Sequence, residues 1–189
     1  MGQVDRFSIR PGDDLSGADL SEFDFYRHYG ISALRGGPGA NFQNCKFIGT
    51  NFKASGHYHS DFQGSDLTGA DMSHSQCRET LFGSRASGGS PAILLKTDFT
   101  NSYLGGSHFF GVMANEATFI NANLEYCLVH GAIFESANFS GASLTHLNQA
   151  PIYDLTPVNF SQANLSNANL SYSDLTGANF SGADLTGVN

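Results

Sequence analysis

Positive charge is missing from half of this sequence. All nine lysines and arginines lie between Arg6 and Lys96, whereas the residues from Thr97 to Asn189 include seven acids and no base. The first half is close to neutral, so nearly all of the formal net charge of −8 belongs to the second half. Proteins that bind nucleic acids need a basic surface, and this distribution therefore argues against direct nucleic-acid binding.

Other residue types are scarce as well. There is no tryptophan, and only 14% of residues are charged, which is well below the ~25% of ordinary globular domains. A hydrophobic content of 40% is too high for a disordered chain. No apolar run approaches the ~18 residues of a membrane-spanning helix, and the N-terminus lacks the apolar segment of a signal peptide. The three scattered cysteines, Cys45, Cys77 and Cys127, argue against a disulfide framework. Composition therefore predicts a cytoplasmic protein without membrane contact.

A five-residue repeat fills most of the chain. The C-terminal part shows it as ANLSN, ANLSY, SDLTG, ANFSG and ADLTG, and the pattern continues through about thirty units, or about 150 of the 189 residues. Each unit has a Leu or Phe, here called its centre, and a small residue two positions earlier. A period of five fits neither an α-helix nor a flat strand, whose periods are 3.6 and 2.0. A chain that bends once per unit turns both apolar positions inward, and Asn and Asp suit such bends.

With this unit, the sequence resembles the pentapeptide-repeat family, whose consensus is A-[DN]-[LF]-x-x. The resemblance implies an all-β fold, a right-handed quadrilateral parallel β-helix with four units in each coil. About thirty units predict seven to eight coils and a shaft roughly 35 Å long, at ~4.8 Å per coil. Centres that lie four units apart match in size, as expected of stacked core residues. The predicted structural core consists of Phe42, Phe62, Phe82, Phe99, Phe119, Phe139, Leu104, Leu124, Leu144, Phe160 and Phe180.

The repeat is interrupted in three places within a single predicted domain, residues 1–189. Residues 26–39 and 83–93 are predicted loop insertions, and residues 145–154 a short irregularity. Residues 1–12 form a candidate N-terminal cap. Loops on a regular solenoid often bind partners, and aromatic and arginine side chains dominate many interfaces. The candidate partner-binding residues of the two loops are Tyr26, Arg27, His28, Tyr29, Arg35 and Arg85.

Catalytic motifs are absent from the sequence. It has no nucleophile motif, phosphate-binding loop or dinucleotide fingerprint, so we predict no enzymatic activity and no cofactor. Ten of the seventeen acids directly precede a centre, where a side chain that hydrogen bonds to the bend is expected. The weak candidates for metal binding are His57 and Cys77, two centres one coil apart. Two ligands fall short of the four of a structural zinc site, so we predict no metal and interpret both residues as core substitutions.

These observations predict a non-enzymatic protein-interaction module whose partner is unknown. The resemblance implies an alternative, because some pentapeptide-repeat proteins mimic DNA and bind type II topoisomerases. In that case DNA gyrase or topoisomerase IV is the partner, and the outcome is inhibition or protection from drugs and toxins. The acidic second half fits this alternative, whereas the C-terminal dimerisation segment of those proteins is missing. The repeat runs to the last residue, which is expected either of a homodimer through an uncapped C-terminal coil or of a chain that is part of a longer protein. The resemblance also extends to cyanobacterial members of unknown or regulatory role and to secreted bacterial effectors.

Overall fold

Short parallel β-bridges organise the whole described chain. The computed structural model describes residues 16–21, 41–83, 89–147 and 157–189. Two strands occur in these ranges, β1 (Leu81–Gly83) and β2 (His108–Phe109), which pair in parallel with Leu81 opposite His108. The remaining pairings are isolated parallel bridges, because each unit bends before a longer strand can form.

The bridges form four ladders, and each ladder defines one face of the shaft. In regular stretches a residue pairs with its equivalent four units later, as Asn41 does with Asp61. The fold is therefore a parallel β-helix, as predicted, while its handedness, coil number and loop bounds stay predictions. The ladder residues are Asn41, Asp61, Leu81, His108 and Leu128 on face 1; Asp19, Lys46, Asp66, Ile93, Met113, Ile133, Asn159 and Asn179 on face 2; Asn51, Asp71, Asp98, Thr118, Asn138, Asn164 and Asp184 on face 3; and Gly56, Gln76, Tyr103, Asn123, Ser143 and Asn169 on face 4.

Longer steps in the ladders locate the extra residues of the chain. Asp66 pairs with Ile93, and Ile133 pairs with Asn159. These steps exceed the regular step of four units by seven and by six positions, and they contain residues 84–88 and 148–156, which lie outside the described ranges. The faces keep their order after each longer step, so the extra residues leave the stacking register intact.

Each bend of the chain is a tight turn with a left-handed residue. The carbonyl of a centre accepts a hydrogen bond from the N–H three residues later, as Phe42 does from Cys45 at 3.2 Å. Asn44, two residues after this centre, has a φ of 57°, and all other described residues with positive φ occupy the same position of their unit. The residue before the centre clamps the turn, since Asn41 Oδ1 accepts the Gln43 N–H at 3.0 Å.

Stacked rings and buried hydroxyls fill the interior. The rings of Phe99, Phe119 and Phe139 stack with centroids 5.1 and 4.6 Å apart. Several buried Ser and Thr in the small position donate to carbonyls of the preceding coil, as Thr97 does to Leu67 at 2.8 Å, which pairs those hydroxyls in the interior. The buried Ser102 hydroxyl is an exception, with no hydrogen-bond partner among the described residues. The structure buries every centre named above as core except Phe180, which is partly buried in the last coil.

The middle of the shaft provides a test of this packing. Phe119 is fully buried and also meets Phe134 edge to face at 5.7 Å. Phe119→Ala should lower the free energy of unfolding by ~3–5 kcal/mol, because the rings above and below cannot collapse into the cavity. Urea unfolding measures the change. Thr118→Ala, on the outer side of the same face, is the control and should cost less than ~1 kcal/mol. Equal stability of Phe119→Ala and the wild type would contradict this register.

Candidate interaction site

The predicted binding loops fall largely outside the described ranges. Tyr26, Arg27, His28, Tyr29 and Arg35 lie between residues 21 and 41, and Arg85 lies between residues 83 and 89, so the structure does not place these side chains.

The base of the second loop is described and tightly packed. A Cβ on Gly83 would lie 2.0 Å from the carbonyl oxygen of Phe110, and a Cβ on Gly89 would lie 2.0 Å from Oε1 of Gln63. On the C-terminal side the Ala92 N–H donates to the Phe82 carbonyl at 2.7 Å. Both described ends of the predicted loop therefore lie at the corner between faces 1 and 2. At Gly83 the backbone contact leaves room only for glycine, whereas at Gly89 the contact is with the flexible end of the Gln63 side chain.

His57 is a buried, uncharged core residue. It has no exposed surface, and its ring packs edge to face on Phe52 at 4.9 Å and on Phe62 at 5.5 Å. Its Nε2 lies 2.6 Å from the Ser55 hydroxyl, while Nδ1 has no hydrogen-bond partner among the described residues. Burial lowers the pKa of His57 to about 3, so the imidazole is neutral at physiological pH.

Cys77 lies directly after His57 in the face 4 column, because Gly56 pairs with Gln76. Burial raises the pKa of the Cys77 thiol to about 12, and the Ser75 hydroxyl lies 3.2 Å from its sulfur. In the described ranges no group of three His, Cys, Asp or Glu side chains could hold a metal ion. The structure thus brings the two weak candidates together, but as packed side chains.

The buried imidazole should make stability depend on pH. Its pKa is about 3 in the folded chain and ~6.5 when unfolded, so the unfolded state binds the extra proton as the pH falls below ~6.5. Stability should then fall by ~1.4 kcal/mol per pH unit, or ~2 kcal/mol at pH 5. His57→Leu, which matches the leucines of the same face, should remove this part of the loss.

Urea unfolding of both proteins at pH 7.5 and pH 5 checks this prediction. Met72→Leu is the control, since this buried centre on face 3 does not titrate and the swap preserves volume. Between pH 7.5 and pH 5, Met72→Leu should lose as much free energy of unfolding as the wild type. The same loss in His57→Leu would show that His57 is protonated in the folded protein.

All three cysteines are free and buried. Burial raises the pKa of Cys127, like that of Cys77, to about 12, and thiolate is the reactive form. Ellman's reagent should therefore label no thiol of the native protein within minutes and all three in denaturant. A Ser181→Cys variant, at an exposed corner, is the control and should react at once with one equivalent. Rapid labelling of the native wild type would show that the shaft opens.

The described acids of the second half have separate partners. Asp174 and Asp184 bond to the hydroxyl and N–H of the Thr two residues later, which lowers the pKa of both carboxyls. Glu116 lies 3.4 Å from the Lys96 ammonium. Asp98, Asp174 and Asp184, which directly precede a centre, thus stabilise their own bends, whereas Glu116, Glu125 and Glu135 contact residues of neighbouring coils. In the described ranges these carboxylates do not converge on one point.

A row of exposed aromatic side chains, here called the aromatic ridge, runs along the corner between faces 4 and 1. It consists of Tyr126, His146 and Tyr172, whose rings stack at 4.6 and 5.0 Å with interplanar angles of 20°. The two tyrosines are 60% and 83% exposed. Sequence reasoning missed the ridge because this position of the unit was read as part of the bend. Its signal is aromatic residues where other units have Gly or Asn.

Comparison with known families agrees with this geometry. The family model of pentapeptide repeats matches residues 115–148 and 154–189 with 8 copies of the repeat. The chain therefore carries pentapeptide repeats, and the resemblance seen in its sequence is confirmed in these segments. A comparison with curated proteins returned no match.

Several solved structures are similar to this chain at low identity. HetL, a pentapeptide repeat protein involved in heterocyst differentiation regulation from the cyanobacterium Nostoc sp. Strain PCC 7120, is 19% identical with a TM-score of 0.42, and the alignment covers 98% of this chain and 90% of HetL. QnrB1, a plasmid-mediated fluoroquinolone resistance protein, is 16% identical with a TM-score of 0.45 and 93% coverage of both chains. At these scores neither likeness bears on the function of this chain. The described ranges contain no helix that is long and apolar enough to cross a membrane.

Proposed function

We propose that this chain is a non-enzymatic protein-interaction module. It is a single domain, residues 1–189, on a rigid right-handed shaft of seven to eight coils. Residues 1–12 cap it, residues 26–39 and 83–93 form binding loops, and residues 145–154 are a short irregularity. Its place in a reducing compartment such as the cytoplasm accords with three free, buried cysteines.

The aromatic ridge is the observation that carries this proposal. The exposed rings of Tyr126 and Tyr172 do not contribute to the core of the shaft. They are nevertheless held in place by the corner backbone and by stacking on His146. Rigid exposed aromatics lose little entropy on binding and dominate many interfaces. Because stacked rings fill the shaft interior, recognition takes place on such outer features and on the loops.

The second candidate function is a DNA-mimicking binder of type II topoisomerases. The observation that favours it is the absence of Lys and Arg after Lys96, against seven acids. In this alternative the acidic faces occupy the DNA-binding surface of gyrase or topoisomerase IV, and the C-terminal coil joins two copies.

Trimming the first loop tests where the partner binds. A variant in which a single in-phase pentapeptide replaces residues 26–39 should melt within a few degrees of the wild type, because a surface loop adds little to the stacked core. The trimmed variant should not bind the partner. This partner is the protein that the immobilised wild type captures and that, once purified, binds the wild type again. Thr118→Ala on face 3, which leaves both the loop and the ridge intact, is the control on the shaft and should keep full binding. A trimmed protein that unfolds contradicts the loop assignment, and full binding by the trimmed protein moves the site to the ridge or the acidic faces.

A supercoiling assay separates the two functions. The second candidate requires inhibition of purified gyrase, or protection of gyrase from a quinolone, at micromolar protein. Absence of both effects on gyrase and topoisomerase IV removes that candidate and leaves the interaction module.

A further inference from the structure

The aromatic ridge ends at a gap. The two corner positions between faces 4 and 1 hold Glu125 and Tyr126 in one coil and Gly105 and Gly106 in the coil before it. The Gly106 N–H donates to the Glu125 carbonyl at 2.8 Å, which fixes the two coils as neighbours. One corner of the shaft thus lacks both side chains.

The coil on the other side of the gap carries charged residues. The Glu79 N–H donates to the Gly105 carbonyl at 3.0 Å, so Arg78 and Glu79 border the two glycines. The resulting recess, here called the corner notch, has a volume of about 400 Å³. Its walls are Arg78, Glu79, Tyr103, Asn123, Glu125 and Tyr126.

The spacing of the notch suits a planar group. Coils stack ~4.8 Å apart, so the corner positions of Glu79 and Tyr126, two coils apart, are separated by roughly 10 Å. His146 covers one face of the Tyr126 ring at 4.6 Å, and the next position on the other side is Gly106. A flat group on Gly106 would continue the ridge by one ring.

The charges of the notch favour a cation. Glu79 occupies the same corner column as Tyr126, on the opposite side of Gly106, and His59 Nδ1 contacts its Oε2 at 3.4 Å. Glu125 adds a second carboxylate, while Arg78 belongs to the other corner column, beside Gly105. The notch therefore has one net negative charge, and its open aromatic face lies across from a carboxylate.

We propose that the corner notch binds the guanidinium group of an arginine on a protein partner. This site rests on the proposed interaction function. Guanidinium is planar, stacks on tyrosine and hydrogen bonds to carboxylates, whereas the rounder, more strongly hydrated lysine ammonium fits the slot poorly. The half-exposed Tyr103 adds a hydroxyl at the rim. A basic partner also complements a chain of net charge −8.

Two substitutions remove the site, and each has a matched control elsewhere. Gly106→Tyr fills the slot with a ring. Tyr126 and Tyr172, which occupy the same position of their own units, already adopt φ values of 61° and 62°. Its control is Gly69→Tyr at the diagonally opposite corner, where a Cβ would meet nothing within 4 Å. Tyr126→Asn removes the stacking face. It should keep the backbone of the corner, since Asn tolerates the left-handed conformation. Its control is Ser136→Asn, which introduces the same residue at an exposed left-handed position on a corner outside the ridge.

The experiment titrates the full chain with three probes and follows amide resonances by NMR. The probes are N-acetyl-arginine amide, N-acetyl-lysine amide and adenosine monophosphate. The arginine probe should bind saturably, shift the resonances of Gly105 and Gly106, and bind ~5-fold or more tightly than the lysine probe. Gly106→Tyr, Tyr126→Asn and Glu79→Gln should each weaken it ~10-fold, whereas both controls keep wild-type affinity.

Three results would overturn the proposal: equal binding of the lysine probe, tighter binding of the nucleotide, or unchanged arginine binding in Gly106→Tyr and Tyr126→Asn. If Gly106→Tyr does not fold, the binding of the arginine probe to Tyr126→Asn and Glu79→Gln decides alone.

Binding of the captured partner distinguishes a failure of this site from a failure of the proposed function. A partner that binds wild type and Tyr126→Asn equally removes the site and keeps the module. If the wild type captures no partner, the module fails while the arginine titration still decides the notch.

Discussion

Closure of a coil after four units depends on one left-handed residue in each unit. All described residues with positive φ occupy the second position after a centre, where a tight turn reverses the path of the backbone. This turn directs the next small residue and the next centre inward, as Cys45 and Phe47 are after Asn44. The corner also projects its own side chain outward at a fixed height. Core stacking and the outer ridge thus follow from the same backbone constraint.

The sequence predicts the stacking period well, because like side chains recur every four units and the interior tolerates little variation. It predicts the bend less well. Asn and Asp before the centre were assigned to the bend, and the structure gives them the clamp while the left-handed residue lies three positions later. That position holds Tyr126 and His146 as readily as Gly106. The pairing between coils enforces the left-handed conformation at this position. The residue type found there therefore says little about where the chain bends.

The corner notch depends on pairing that the sequence leaves open. Twelve residues separate the centres Phe82 and Leu94, which fits one unit with seven extra residues or two units with two extra. The bridge between Asp66 and Ile93 selects the first choice. Only then does Gly106 lie over Glu79. With an extra unit every later residue would move round by one face, and the ridge would end above other side chains. The site therefore arises from register across an insertion.

Charge density ranks the two proposed functions. Duplex DNA carries one negative charge per ~1.7 Å of axis, so a segment of roughly 20 Å carries about twelve. The chain from Thr97 onward has seven acids in its sequence, and six of them lie in the described ranges, on about four coils of similar length. Two of these, Asp174 and Asp184, already accept hydrogen bonds within their own bends. On face 3, Thr118, Asn138 and Asn164 separate Asp98 from Asp184, so no continuous acidic row forms there. An acidic module with a discrete aromatic recess fits this surface better than a copy of the phosphate backbone.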